Sequence, residues 1–189
     1  ASQASMQVVI AVGVVLDALE ASGEAENTLL VYTSDHGEGM GCHALATKGF
    51  LYESSVRVPF VVVRPGQLPA GERNDHQFVS GIDLFPTFCN VAGVPLPENL
   101  PGTDFLGETL AGRRSREAVI AEATFNGWMV RSDRYKLIAY DGAESQQLFD
   151  LQNDPLETRN LAGDPSAAAV LTRHQELLAD FRGRLQVPA

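Results

Sequence analysis

The sequence is poor in cysteine, in positive charge and in long apolar runs. Its 189 residues hold two cysteines, Cys42 and Cys89, so no disulfide framework carries the fold, and their spacing fits no structural zinc site. A buried thiol is the ordinary fate of such residues, and the pair does not report a compartment. Lysine and arginine total 14 against 24 aspartates and glutamates, a net charge of −10, and no positive residue precedes Lys48. That balance disfavours nucleic acid and anionic membrane surfaces as partners. An anionic substrate would have to be drawn in locally, by a metal and a few cations, against the field of the whole molecule. The apolar stretch Val8 to Leu16 stops at Asp17, is too short to span a bilayer, and lacks the positive leading segment of a signal peptide.

What is present fits a soluble globular chain. The composition is 44% hydrophobic and 20% charged, and a chain of this length can form one domain with a sizeable core. Residues Ser5 to Ala21 predict a helix with a broad apolar face, stopped by Gly23. A buried strand, Thr28 to Thr33, follows, then a loop, a short helix or turn around Phe50 to Ser54, and a strand over Pro59 to Val63. Asp83 is a candidate helix N-cap, with Pro86 in the first turn and Gly93 closing the helix. Pro95 to Gly112 reads as a linker between subdomains. Beyond it come short strands at Ala118 to Glu122, Trp128 to Arg131, Tyr135 to Tyr140 and Gln147 to Asp150, with hairpin signals at Ser132-Asp133 and Asp141-Gly142. A closing helix spans about Pro165 to Leu185. The pattern predicts an α/β portion over 1–112, followed over 113–189 by a small antiparallel sheet with one helix.

The chemistry concentrates in one loop. Thr33-Ser34-Asp35-His36-Gly37-Glu38-Gly39, then Gly41-Cys42-His43 and Lys48-Gly49, place a carboxylate, two imidazoles and an ammonium just beyond a strand's C-terminal end. Open α/β sheets bind ligands at that edge. Anionic and cationic groups this close suggest a metal held by Asp35 and His36, with an anion held by that metal and Lys48. Glu53 and Arg57, four apart, fit a helical ion pair that scaffolds the loop. His76 and His174 have no motif around them and read as surface residues; Trp128, Tyr135 and Phe149 read as core or sheet-face aromatics.

Ser34-Asp35-His36-Gly37, His43, Lys48-Gly49, Leu51-Tyr52-Glu53 and Arg57-Val58-Pro59 resemble the second half of the sulfatase family, within the alkaline-phosphatase superfamily. Two further matches follow in the family's order: Ile82-Asp83-Leu84-Phe85-Pro86-Thr87 leading to Ala92-Gly93-Val94-Pro95, and Gln147-Leu148-Phe149-Asp150-Leu151 with Asn153-Asp154-Pro155, Glu157 and Asn160-Leu161. The resemblance implies metal ligation by Asp35 and His36, sulfate binding and charge stabilisation by Lys48, and substrate contact by His43. Glu157 reads as turn and cap architecture. Calcium is the family's usual ion, although imidazole also suits manganese or zinc. Cys42 stands where the family has Asp or Glu, and Ala44 to Thr47 lacks an aromatic residue often found there, which bears on substrate specificity.

The family's nucleophile is a formylglycine made from the Cys of a Cys-x-Pro/Ala-x-Arg motif. Neither Cys42-His43-Ala44-Leu45-Ala46 nor Cys89-Asn90-Val91-Ala92-Gly93 matches it. The resemblance therefore implies the C-terminal part of a longer enzyme, inactive alone, whose partner is its own missing N-terminal half. It implies a sulfated small molecule or glycan as substrate, and a periplasmic, secreted or lysosomal setting. Two rivals stand beside it. One is a phosphonate monoester or phosphodiester hydrolase of the same superfamily. The other is a non-catalytic truncated module that exposes the surface the missing half would cover.

Overall fold

Helix α1 spans Gln3–Ser22, close to the expected Ser5 to Ala21. It ends where Gly23 takes a left-handed φ of 76°, with its N–H donating to the Glu20 carbonyl, a conformation that costs glycine little. Its apolar residues are not confined to a covered stripe: Val9 is 70% exposed and Ile10, Val14 and Val15 are each more than 60% exposed. The computed structural model describes residues 3–45, 48–123, 127–141 and 146–185, so Gly142 of the second hairpin signal lies outside the described residues.

Strands β1 (Leu30–Thr33) and β2 (Phe60–Val63) pair antiparallel, Leu30 opposite Val63 and Thr33 opposite Phe60. With α1 they fall in one compact unit, Ala1–Thr33 with Pro59–Arg73; the second unit is Ser34–Val58 with Asn74–Ala189. No helix among the described residues is long and apolar enough to cross a membrane.

The second unit is built on a four-stranded antiparallel sheet, β3 (Val119–Ala123), β4 (Gly127–Arg131), β5 (Tyr135–Tyr140) and β6 (Gln147–Asp150), in that spatial order. The strands and the closing helix stand where the sequence placed them, the helix as α5 (Ala168–Leu185) after a short 3-10 turn over Pro165–Ala167. Strand side chains alternate between faces, and both faces are covered. Trp128, Val130, Leu137 and Leu148 pack with α5 residues including Leu178. Met129, Ile138 and Phe149 on the other face pack with Leu51, Tyr52 and Val56. The segment carrying those last three residues includes the short helix α2 (Glu53–Val56). Sheets covered on both sides lose the apolar–polar alternation, which is why β4 and β5 read as nearly continuous apolar runs.

Three expectations change. Asp83 stands at the N-cap position of helix α3 (Leu84–Ala92) but its side chain makes no cap hydrogen bond there; Ser80 caps the preceding turn, and the fully buried Asp83 carboxylate turns back to accept from the Ser80 and Thr103 N–H groups and from Arg116. The Pro95 to Gly112 linker contains helix α4 (Phe105–Leu110), started by Asp104, whose carboxylate accepts from the Leu106 and Gly107 N–H groups at 3.1 and 3.0 Å. His174 is buried, 4% exposed, with Nδ1 on the Val170 carbonyl and Nε2 on the Ser132 hydroxyl. His76 is exposed, as expected.

Candidate metal and anion site

Asp35 and His36 follow β1 directly in the chain. The Ser34 hydroxyl donates to the His36 carbonyl at 2.9 Å, and the His36 N–H donates to Asp35 Oδ1 at 3.0 Å. The latter bond holds the Asp35 carboxyl below its usual range, helped by the nearby imidazole. Asp35 is therefore a solvent-exposed anion at neutral pH.

His36 Nδ1 lies 2.8 Å from the Gly37 carbonyl. A carbonyl only accepts, so Nδ1 carries a proton, and a lone pair free to bind a cation can lie only on Nε2. That Nε2 sits 3.3 Å from Asp35 Oδ2. Two electron-rich atoms facing each other at this distance favour a positive species beside them, either a proton or a metal ion. A ring nitrogen fixed by a backbone carbonyl while the other faces a metal is the usual outer-shell arrangement of a ligating histidine. Asp35 and His36 thus fit a divalent cation chemically. Among the described residues no cluster of three or more His, Cys, Asp and Glu could hold a metal, so the pair is a partial ligand set.

The loop is docked on α2 by its backbone. The Gly37 N–H donates to the Ser55 carbonyl at 2.7 Å and the Glu38 N–H to the Ser54 carbonyl at 3.0 Å. A Cβ on Gly37 would stand 2.2 Å from the Ser54 oxygen, so this approach requires glycine.

Further along, Met40, Gly41, His43 and Ala44 all take positive φ. His43 stacks face to face on Tyr52, with ring centroids 3.8 Å apart and planes 12° apart. Tyr52 in turn exchanges hydrogen bonds with the Gln147 side chain. His43 is exposed and held by one ring face, leaving the other available. Lys48 is exposed and has no hydrogen bond or ion pair among the described residues. The structure thus joins Asp35 to His36 and His43 to Tyr52, while Lys48 makes no hydrogen bond or ion pair with either pair.

Sequence reasoning placed Glu53 with Arg57. Helix α2 is four residues long and Arg57 is already extended at its end, so the helical spacing does not apply. Glu53 turns instead to Lys136 and Arg131, at 3.2 and 3.4 Å. Glu157 accepts the Glu53 N–H at 2.7 Å and pairs with Lys136 at 2.8 Å, so its expected capping role is joined by an ion pair. Tyr52 and Gln147 stand in the family motifs without an assigned role, and Lys136 stands in none of them. The available signal was a lysine inside the apolar run Tyr135-Lys136-Leu137-Ile138.

Comparison with known proteins agrees with these motifs. The family described as N-sulphoglucosamine sulphohydrolase, C-terminal, matches residues 41–184. The chain is 35% identical over 179 residues to the Delta 4,5-hexuronate-2-O-sulfatase of Bacteroides thetaiotaomicron, covering 88% of this chain and 37% of that protein. The chain belongs to the sulfatase family and corresponds to its C-terminal portion. Among solved structures, a phosphonate monoester hydrolase of Agrobacterium radiobacter is 30% identical with a TM-score of 0.81, covering 91% of this chain and 38% of that one. Another, solved with its substrate D-glucosamine-2-N,6-O-disulfate, is 28% identical with a TM-score of 0.81, covering 91% and 37%. The chain therefore spans little more than a third of the length of these relatives.

Proposed function

We propose that this chain is the C-terminal part of an enzyme that hydrolyses sulfate esters, and that it supplies part of a site completed by the rest of that enzyme. The observation that carries the reading is the Asp35–His36 pair, with a carboxylate oxygen 3.3 Å from the ring nitrogen Nε2 and Nδ1 held on the Gly37 carbonyl. Calcium is the first choice of ion, with manganese or zinc as alternatives. When bound, the ion would supply Lewis-acid polarisation of the sulfate and a charge to hold it. Formylglycine would come from the N-terminal portion, and without it the chain has no placed nucleophile and no turnover.

The chain's own residues then have distinct tasks. Asp35 and His36 hold the ion. Lys48, exposed and without a partner among the described residues, holds sulfate oxygens and stabilises the charge that grows on them as the ester bond breaks. One such donor is typically worth about 3–4 kcal/mol in the transition state. His43, backed by Tyr52, presents its open face to the part of the substrate that carries the sulfate. Relatives named for hexuronate and glucosamine sulfates favour a sulfated glycan, and family membership favours a periplasmic, secreted or lysosomal setting. The exposed apolar side chains of α1 suit a surface that the missing half covers.

A phosphonate monoester hydrolase is the second reading, favoured by the likeness to the Agrobacterium radiobacter enzyme. The test joins the chain to its upstream half and assays aryl sulfate and aryl phosphonate in parallel. The first reading expects sulfate release to dominate and Lys48→Ala to reduce it about 100-fold or more. Dominant phosphonate cleavage selects the second reading; no cleavage of either, with the nucleophile installed, rejects both.

A further inference from the structure

Lys136 is the buried charge that the proposed reaction does not use. It lies on β5 directly across from Arg131 on β4, and it is fully buried. Two cations opposite each other on one sheet face repel, so anions must stand between them. Glu53 Oε1 does so, 3.2 Å from Lys136 Nζ and 3.4 Å from Arg131 Nε. Glu157 Oε1 adds a contact of 2.8 Å to the same Nζ, while its Oε2 accepts the Glu53 backbone N–H at 2.7 Å. Glu157 is 4% exposed and holds a left-handed φ of 55°, a strained conformation for a non-glycine residue. Two carboxylates and two cations balance, and all of them converge on the first residue of α2.

Helix α2 is also where the candidate site is anchored. Its Ser54 and Ser55 carbonyls accept the Glu38 and Gly37 N–H groups, and Gly37 adjoins the Asp35–His36 pair. The residue before the helix, Tyr52, stacks on His43. Each link is a direct contact between neighbours, from the sheet through α2 to both halves of the site.

We propose that Lys136 and Glu157 are positioning residues, which act through Glu53 to set the Asp35–His36 pair and the His43–Tyr52 stack. The part concerning metal rests on the metal reading of Asp35 and His36; the part concerning loop geometry does not. The two carboxylates fix helix α2 by side chain and backbone together, so its carbonyls face the loop in one orientation.

The test uses the full chain, with Lys136→Met, Glu157→Gln and the charge-balanced double variant carrying both. Amide hydrogen exchange is followed at Gly37 and Glu38 and, for comparison, at Val130 and Leu137 in the sheet; Mn2+ affinity is measured alongside. The proposal expects exchange at Gly37 and Glu38 to rise at least tenfold more than at Val130 and Leu137, with Mn2+ binding weakened about tenfold. The Lys136→Met single variant leaves an unbalanced buried charge; if it fails to fold, Glu157→Gln and the double variant carry the same test. Equal changes at all four amides mean that the cluster only stabilises the fold, and unchanged exchange at Gly37 and Glu38 overturns the proposal outright. Selective exchange in a chain that binds no Mn2+ supports the positioning and rejects the metal reading instead.

Discussion

Replacing Gly37 by alanine should undock the metal loop while leaving the sheet folded. The added Cβ would stand 2.2 Å from the Ser54 oxygen, against an ordinary contact of roughly 3.5 Å, so the loop must retreat by roughly 1 Å. The Gly37 and Glu38 N–H bonds of 2.7 and 3.0 Å then stretch past hydrogen-bonding distance. Two lost bonds cost about 0.5–1.5 kcal/mol each, and the abandoned Ser54 and Ser55 carbonyls add a desolvation cost if water does not reach them. A local destabilisation of about 2–4 kcal/mol follows, or roughly a 30- to 700-fold rise in amide exchange at positions 37 and 38. The amides of Val130 and Leu137 should keep their protection, because their cores pack around α5 and the sheet. Native-state exchange followed by NMR reads both. Wild-type protection at positions 37 and 38 in the alanine variant would refute the docking argument, and equal loss everywhere would refute its locality.

Asp150 provides a pH test. The Arg134 guanidinium, with the Asn153 side chain, lowers its pKa from 3.8 to about 2. A depressed folded-state pKa contributes stability that is present above about pH 4 and lost as pH falls through about 2; with Arg134 half exposed, about 1–2 kcal/mol is expected. Denaturant midpoints measured between pH 5 and pH 2 should fall less in Asp150→Asn than in the wild type. Asp104→Ala removes the α4 cap and should cost about 1 kcal/mol in urea denaturation. Tyr52→Phe keeps the His43 stack and loses the Gln147 bond, for about 0.5–1.5 kcal/mol. Tyr52→Ala also loses the stack, which should show as altered chemical shifts of the His43 ring.

The C-terminal sheet was legible because its strands are short apolar runs separated by turn residues, and periodicity reports that directly. The side-chain partners were not, because they lie far apart in sequence. Lys136 meets Glu53 from 83 positions away, and no local pattern says which carboxylate will neutralise a buried lysine. His174 looked like a surface residue because its partner Ser132 is 42 positions distant. Helix α4 was hidden in a Pro- and Gly-rich stretch, since a six-residue helix held by one capping aspartate has too few turns to show a period. The site itself was named from its motifs, while the backbone contacts that fix it needed the structure. Gly37 stood in the quoted motif, but only the Ser54 oxygen explains why the position requires glycine.

The metal assignment of Asp35 and His36 turns on the protonation and metal contact of one ring. Long-range proton–nitrogen NMR of His36 reports both, before and after addition of Ca2+, with Asp35→Asn as the control. The structure predicts a proton on Nδ1, and the metal assignment predicts a shift of the Nε2 resonance on adding the ion that Asp35→Asn abolishes. A ring protonated on Nε2 instead, or an Nε2 resonance indifferent to Ca2+, Mn2+ and Zn2+ alike, would contradict the assignment of Asp35 and His36 as a metal pair.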